Sequence, residues 1–239
     1  PDNDTANYGK GMERPVYFCT GKPQGLFKNK NRTTGIASTA GKFASSFSKG
    51  AEVYKSIDPE FSKLLLSRAI EAFNFGIDNP GVCQTAPGKA PYFYEEDNWV
   101  DDMELAAIEL YNITKESKYL SYALEFGRKE IVTPWIGSDT ARHYQWYPFV
   151  NMGHSVIARQ QKNQTEIEFA GYMKKGLELT KLKASGNPFF VGIPFIWCSN
   201  NLIAAVITQA HLYSEITGDN SYAEIEAAHR DWLFGCNPW

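Results

Sequence analysis

Three stretches of this chain can be laid over one another. They read VYKSIDPEFSKLLLSRAIEAFNFG from Val53, LYNITKESKYLSYALEFG from Leu110 and LYSEITGDNSYAEIEAAHRDWLFG from Leu212. Each has an aromatic closing one apolar run, a polar turn, an aromatic opening a second run, and a glycine at its end. The runs have helical spacing. Ile36, Ala40, Phe43, Phe47, Ala51 and Tyr54 recur every three or four residues and mark one helix face. Asp58-Pro59 then supplies an N-cap and a proline at the first helical position. Phe61, Leu64, Leu65, Ile70 and Phe73 carry the next helix to Gly76. The unit returns at 99–111 with 119–126, stopping at Gly127. It returns more weakly at 151–160 with 167–182, and again at 201–216 with 222–234. A helical hairpin repeating at roughly 50 residues makes this an all-α chain of about four hairpins. Residues 1–35 lack this periodicity and read as an extended N-terminal segment. Residues 36–239 form the helical part.

The connections alternate in length. Turns inside a hairpin take about four or five residues, whereas the links 77–98, 128–150 and 183–200 are several times longer. In a ring or stack of antiparallel hairpins the short turns lie at one end and the long loops at the other. Long loops converging on one face are usually functional. These hold Tyr92, Phe93, Tyr94, Trp135, His143, Tyr144, Trp146, Tyr147, Phe189, Phe190, Phe195 and Trp197. The densest stretch, DTARHYQWYPFVNMGH from Asp139, sets flat rings beside Arg142, Asn151 and His154. Rings flanked by such polar groups suit a sugar, which offers apolar C–H faces and a rim of hydroxyls. They also suit a plug over a helical core.

Composition narrows the classes. A net charge of −3 argues against nucleic acid, which calls for a basic face. No run of 18 apolar residues offers a membrane span. Cys19, Cys83, Cys198 and Cys236 lie far apart, so they form no C-x-x-C metal or redox motif; they are buried thiols or one or two disulfides. His143 and His154 are not at metal-ligand spacing, and no metal or other cofactor is expected. No Walker, G-x-S-x-G or H-E-x-x-H pattern occurs. One carboxylate cluster stands out: Glu95, Glu96, Asp97, Asp101 and Asp102. It opens a helix, where acids complement the N-terminal dipole. Alternatively one or two of them, Asp97 among them, face a ligand.

Several segments resemble family 9 glycoside hydrolases, the cellulase-type endoglucanases, in that family's order. YEEDNWVDDMELAAIELYNITKESKYL resembles its acidic helix-opening segment. STAGKFASSFSKGAEVY resembles its Ser-Thr-Ala helix, which follows a segment like Arg14-Pro15-Val16-Tyr17. YPFVNMGH and HRDWLFGCNPW resemble two further motifs. The resemblance implies an (α/α)6 barrel, of which this chain holds an incomplete set, and hydrolysis of β-linked glucan or a related plant polysaccharide with inversion. It implies an oligosaccharide or polysaccharide substrate, no nucleic-acid or membrane partner, and a secreted or periplasmic protein. Tyr94, Asp97, Trp135, Arg142, His143, Tyr144, Trp146, Tyr147 and Trp197 are the expected substrate-binding residues, with Asn151 and His154 binding hydroxyls or holding the loop. The family's catalytic Asp and Glu are expected upstream of Arg14 and beyond Trp239, so no catalytic residue is assigned here. Two other readings stay open: a non-catalytic glycan-binding α/α barrel, and another α/α barrel enzyme such as a uronic-acid lyase or an unsaturated glucuronyl hydrolase.

Overall fold

The structure is a computed structural model that describes residues 18–25, 28–86, 96–130, 152–160, 163–195 and 199–238. Among these residues every regular element is a helix: α1 (Ala37–Tyr54), α2 (Pro59–Asp78), α3 (Val100–Thr114), α4 (Ser117–Lys129), α5 (Met152–Gln160), α6 (Gln164–Ala184), α7 (Ser199–Thr217) and α8 (Ala223–Leu233). As the hairpin reading expects, α1 packs with α2, α5 with α6 and α7 with α8. The chain divides into two compact units, residues 1–103 and 104–239.

The repeated aromatics have a physical explanation. Tyr54 ends α1 and meets Phe61 of α2 edge to face at 4.9 Å. Tyr213 meets Tyr222 in the same way at 5.5 Å across the turn between α7 and α8. In both hairpins the ring pair closes the turn. The capping expectation also holds, since Asp58 accepts the Phe61 backbone N–H at 3.0 Å.

In the first unit the buried face of α1 differs from the apolar stripe in the sequence. Ala37, Ser38, Ala40, Gly41, Ala44, Ser45, Ser48 and Ala51 are buried, whereas Phe43 is 53% exposed. Small residues win because α1 packs close to other backbone. A Cβ on Gly41 would lie 2.7 Å from the Asp102 carbonyl carbon. The glycines expected to stop helices are likewise packing sites. α2 runs on past Gly76 and α4 past Gly127. A Cβ on Gly76 would meet the Met103 sulfur at 2.8 Å, and one on Gly127 would meet the Phe169 ring at 2.4 Å. Gly235, at φ 109°, does follow the end of its helix in the left-handed conformation that glycine favours, as does Gly218 after α7, at φ 72°.

The N-terminal segment lies along the link after α2. Ile36 and Ala37 N–H donate to the Asn79 carbonyl, and Thr34 and Gly35 N–H donate to that of Val82. Cys19 and Cys83 form a disulfide that joins the two strips covalently. Asn31 is buried, and its side-chain amide donates to the Gln84 carbonyl at 2.9 Å. In the second unit, Met173, Leu177 and Ala184 of α6 pack with Ala210 and Tyr213 of α7 and with Ile225 of α8.

Candidate functional site

Of the expected substrate-binding residues, the described structure contains Asp97 alone. Tyr94, Trp135, Arg142, His143, Tyr144, Trp146, Tyr147 and Trp197 lie outside the described residues, as do Asn151 and Glu95. Asp97 sits in the short stretch before α3. It accepts two hydrogen bonds from Arg32 Nη2, at 3.2 and 3.1 Å, and one from Gln84 at 3.1 Å. Gln84 also accepts the Arg32 backbone N–H at 2.7 Å and donates to the Glu96 carbonyl. The carboxylate therefore ties the N-terminal segment to the end of the 79–99 link, while its side chain stays 42% exposed.

The other acids of the cluster are also engaged. Lys42, on α1, reaches Glu96 at 2.5 Å and Asp102 at 2.7 Å. Asp101 accepts from the Asn98 amide at 2.8 Å. Burial pushes the Asp102 carboxyl well above its ordinary range, the neighbouring Asp101 charge adds to this, and Lys42 pulls it back. Burial works against the Lys42 ammonium, but Asp102 and Glu96 hold its pKa above the usual lysine value. The arrangement braces the opening of α3 against α1. Among the described residues no three His, Cys, Asp or Glu side chains converge as metal ligands.

In the second unit the start of α5 is fastened by a buried pair. His154, near the start of α5, is 2% exposed, and its Nδ1 lies 2.6 Å from Oε1 of Glu104 on α3, which is fully buried. His154 therefore holds the helix start and does not offer itself to a ligand. Gly153 and Gly127 wall the carboxylate in, because a Cβ on either would come within 2.7 or 2.8 Å of it. The imidazole packs edge-on against Phe169 at 5.2 Å and tilted against Tyr172 at 5.4 Å. Tyr172 donates to Glu168, which takes a bidentate pair of bonds from Arg128. The Arg128 bonds draw the Glu168 carboxyl down to about 2, while burial and the Glu168 bond push the Tyr172 hydroxyl up to about 12.

The third long link carries two exposed rings and one that packs inward. Phe195 stacks on Trp232 of α8 at 5.1 Å with its planes 27° apart, and Phe189 meets the same indole edge-on at 5.3 Å. Trp232 is buried at 3% exposure, while Phe189 and Phe195 keep 40% and 53% of their surfaces exposed. Between them Phe190 turns inward to pack with the α6–α8 cluster and adopts φ 54°, a left-handed conformation that costs a non-glycine residue about 1–3 kcal/mol. Trp232 was not singled out among the candidate residues in the sequence, where its motif reads as a helix end. The available signal was its place three residues after His229, on one helical face. By contrast, the groove of about 590 Å³ lined by Asn163, Glu166, Lys174, Tyr213 and Thr217 opens beside the short turns, and its one ring, Tyr213, is buried.

The sequence model of glycosyl hydrolase family 9 matches residues 1–239. The chain belongs to glycosyl hydrolase family 9. It is 28% identical over 181 residues to an endoglucanase of Phaseolus vulgaris, a match covering 76% of this chain and 32% of that protein. Its fold is similar to the crystal structure of family 9 endoglucanase J30, with a TM-score of 0.64, 17% identity, and coverage of 89% of this chain and 41% of that one. It is also similar to AaCel9A, solved in complex with cellobiose-like isofagomine, with a TM-score of 0.66, 18% identity, and coverage of 84% and 38%. The fold is of the (α/α)6-barrel type, to which these helical hairpins contribute. The chain thus spans about a third of the length of the bean relative it matches. Among the described residues no helix is long and apolar enough to cross a membrane.

Proposed function

We propose that the protein carrying this chain hydrolyses β-linked glucan with inversion, and that these residues supply part of its glucan-binding face. The observation that carries the reading is the family 9 match over residues 1–239, together with a bean relative that is an endoglucanase. The geometry supports it. Asp97 fastens the stretch before α3, His154 fastens the start of α5, and the 189–195 segment presents half-exposed rings suited to the apolar face of a pyranose. Tyr94, Trp135, Arg142, His143, Tyr144, Trp146, Tyr147 and Trp197 complete the proposed set of stacking and hydroxyl-binding groups. Asp97, held by Arg32 and partly exposed, is the group we assign to accept a sugar hydroxyl.

The acids of the described structure brace the fold: Glu96 and Asp102 answer Lys42, Asp101 accepts from Asn98, and Glu104 holds His154. The inverting acid and base belong to other parts of the protein, and these 239 residues alone bind glucan without cleaving it. The Cys19–Cys83 disulfide fits an oxidising compartment and hence a secreted or periplasmic protein.

The test is reducing-end release by the full-length protein from β-1,4-glucan and, in parallel, from xylan. Release from glucan is expected. Release from xylan alone would overturn the substrate class. Binding without cleavage of any glycan would overturn the reaction and favour the non-catalytic barrel.

A further inference from the structure

His229 is fully buried on α8, and both its ring nitrogens are committed to backbone. Nδ1 lies 2.7 Å from the Ile225 carbonyl oxygen, and Nε2 lies 3.2 Å from the Gly192 nitrogen. A carbonyl only accepts and an amide N–H only donates. The ring is therefore neutral, with its proton on Nδ1 and a free lone pair on Nε2 receiving the Gly192 N–H. Burial holds its pKa below the usual histidine value, in keeping with that state.

Gly192 has no latitude. A Cβ there would lie 2.1 Å from the Thr180 carbonyl oxygen of α6. Val191 and Ile193 on either side are buried against Leu202, Ile203, Val206 and Trp232. Three residues before Gly192 stands Phe189 and three after it Phe195, the two rings that flank Trp232. His229 and Trp232 are one turn apart on α8, so a single helix face grips the segment at its centre by a hydrogen bond and at both ends by ring contacts.

We propose that His229 is a positioning residue: by accepting the Gly192 N–H it fixes the 189–195 segment and so sets the exposed Phe189–Phe195 pair as a sugar-stacking platform. The platform role rests on the glucan reading above, whereas the positioning role does not. Without the acceptor, a buried N–H is left without a partner next to a strained Phe190, and the segment shifts off Trp232.

Two measurements on the full-length protein test this. The first is amide hydrogen exchange at Gly192. His229→Phe keeps the ring volume and removes the acceptor, so exchange should rise about tenfold, the equivalent of one net hydrogen bond. His229→Gln places an amide oxygen near the Nε2 position and should stay close to wild type. Should His229→Phe not fold, a His229→Gln variant that folds, retains protection and keeps the wild-type KM supports the assignment. Unchanged protection in a folded His229→Phe overturns the positioning role, as does lost protection in His229→Gln. The second measurement is the kinetics on a soluble cellooligosaccharide. Phe195→Ala and His229→Phe should each raise KM about three- to tenfold with kcat nearly intact, and Phe195→Ala should leave Gly192 exchange unchanged. A fall in kcat with KM unchanged would overturn the platform. A wild-type protein that neither binds nor cleaves glucan would sink the glucan reading and the platform with it, while the exchange result still decides what His229 does.

Discussion

Replacing His154 by phenylalanine isolates the buried pair in the second unit. The ring is retained, and with it the contacts to Phe169 and Tyr172 at 5.2 and 5.4 Å. What disappears is the 2.6 Å bond to Glu104. That carboxylate is fully buried, and glycine backbone closes over it at Gly127 and Gly153, leaving no space for it to turn outward. Breaking one side of such a buried pair costs about 3–5 kcal/mol. At about 2–4 °C per kcal/mol for a chain of this size, the second unit should melt roughly 10 °C lower. Replacing both partners, Glu104→Leu with His154→Phe, removes the buried polar atoms together and should recover most of the loss. Urea unfolding followed by tryptophan fluorescence gives all four corners of the cycle. A loss below about 1 kcal/mol in His154→Phe, or a double variant as unstable as the single ones added together, would refute the account of the pair.

Gly41→Ala should destabilise the first unit by about 1–3 kcal/mol, because its methyl would lie 2.7 Å from the Asp102 backbone; thermal melting checks it. Cys83→Ser should cost about 2–4 kcal/mol by freeing a closure of 64 residues, and limited proteolysis should then cut within 18–30. Glu168 has its pKa drawn down to about 2 by Arg128, so its stabilisation is present above the ordinary glutamate range and fades as pH falls from about 4.5 toward 2. Arg128 is half exposed, which limits the contribution to about 1 kcal/mol or less. The stability gap between wild type and Glu168→Gln, measured by urea unfolding, should accordingly close across that window.

The helices were legible in the sequence because apolar spacing and turn chemistry agree there. Asp58-Pro59 capped α2 where expected, and the aromatic pairs Tyr54–Phe61 and Tyr213–Tyr222 explain the likeness of the first and last of the three joints. What the sequence hid was closeness. Gly76 and Gly127 look like helix stops, yet they admit Met103, Phe169 and Glu104, and nothing in a linear pattern separates those two uses of glycine. The inward face of α1 was misplaced for the same reason, since periodicity marks Phe43 as strongly as Ala44 while backbone approach selects the smaller residue. In the candidate site, the acidic run before α3 was visible, but its partners Lys42 and Arg32 stand more than 50 residues away in the chain. His229 was unreadable as an anchor because its two partners are backbone groups, which carry no sequence signature.

The most direct test of the central proposal is proton NMR of the anomeric region while the full-length protein digests a cellooligosaccharide. Inverting hydrolysis of a β-glucan predicts that the α-anomer of the new reducing end appears first and relaxes to the mutarotation equilibrium. Initial formation of the β-anomer would contradict inversion, and a spectrum that never changes would contradict glucan hydrolysis itself.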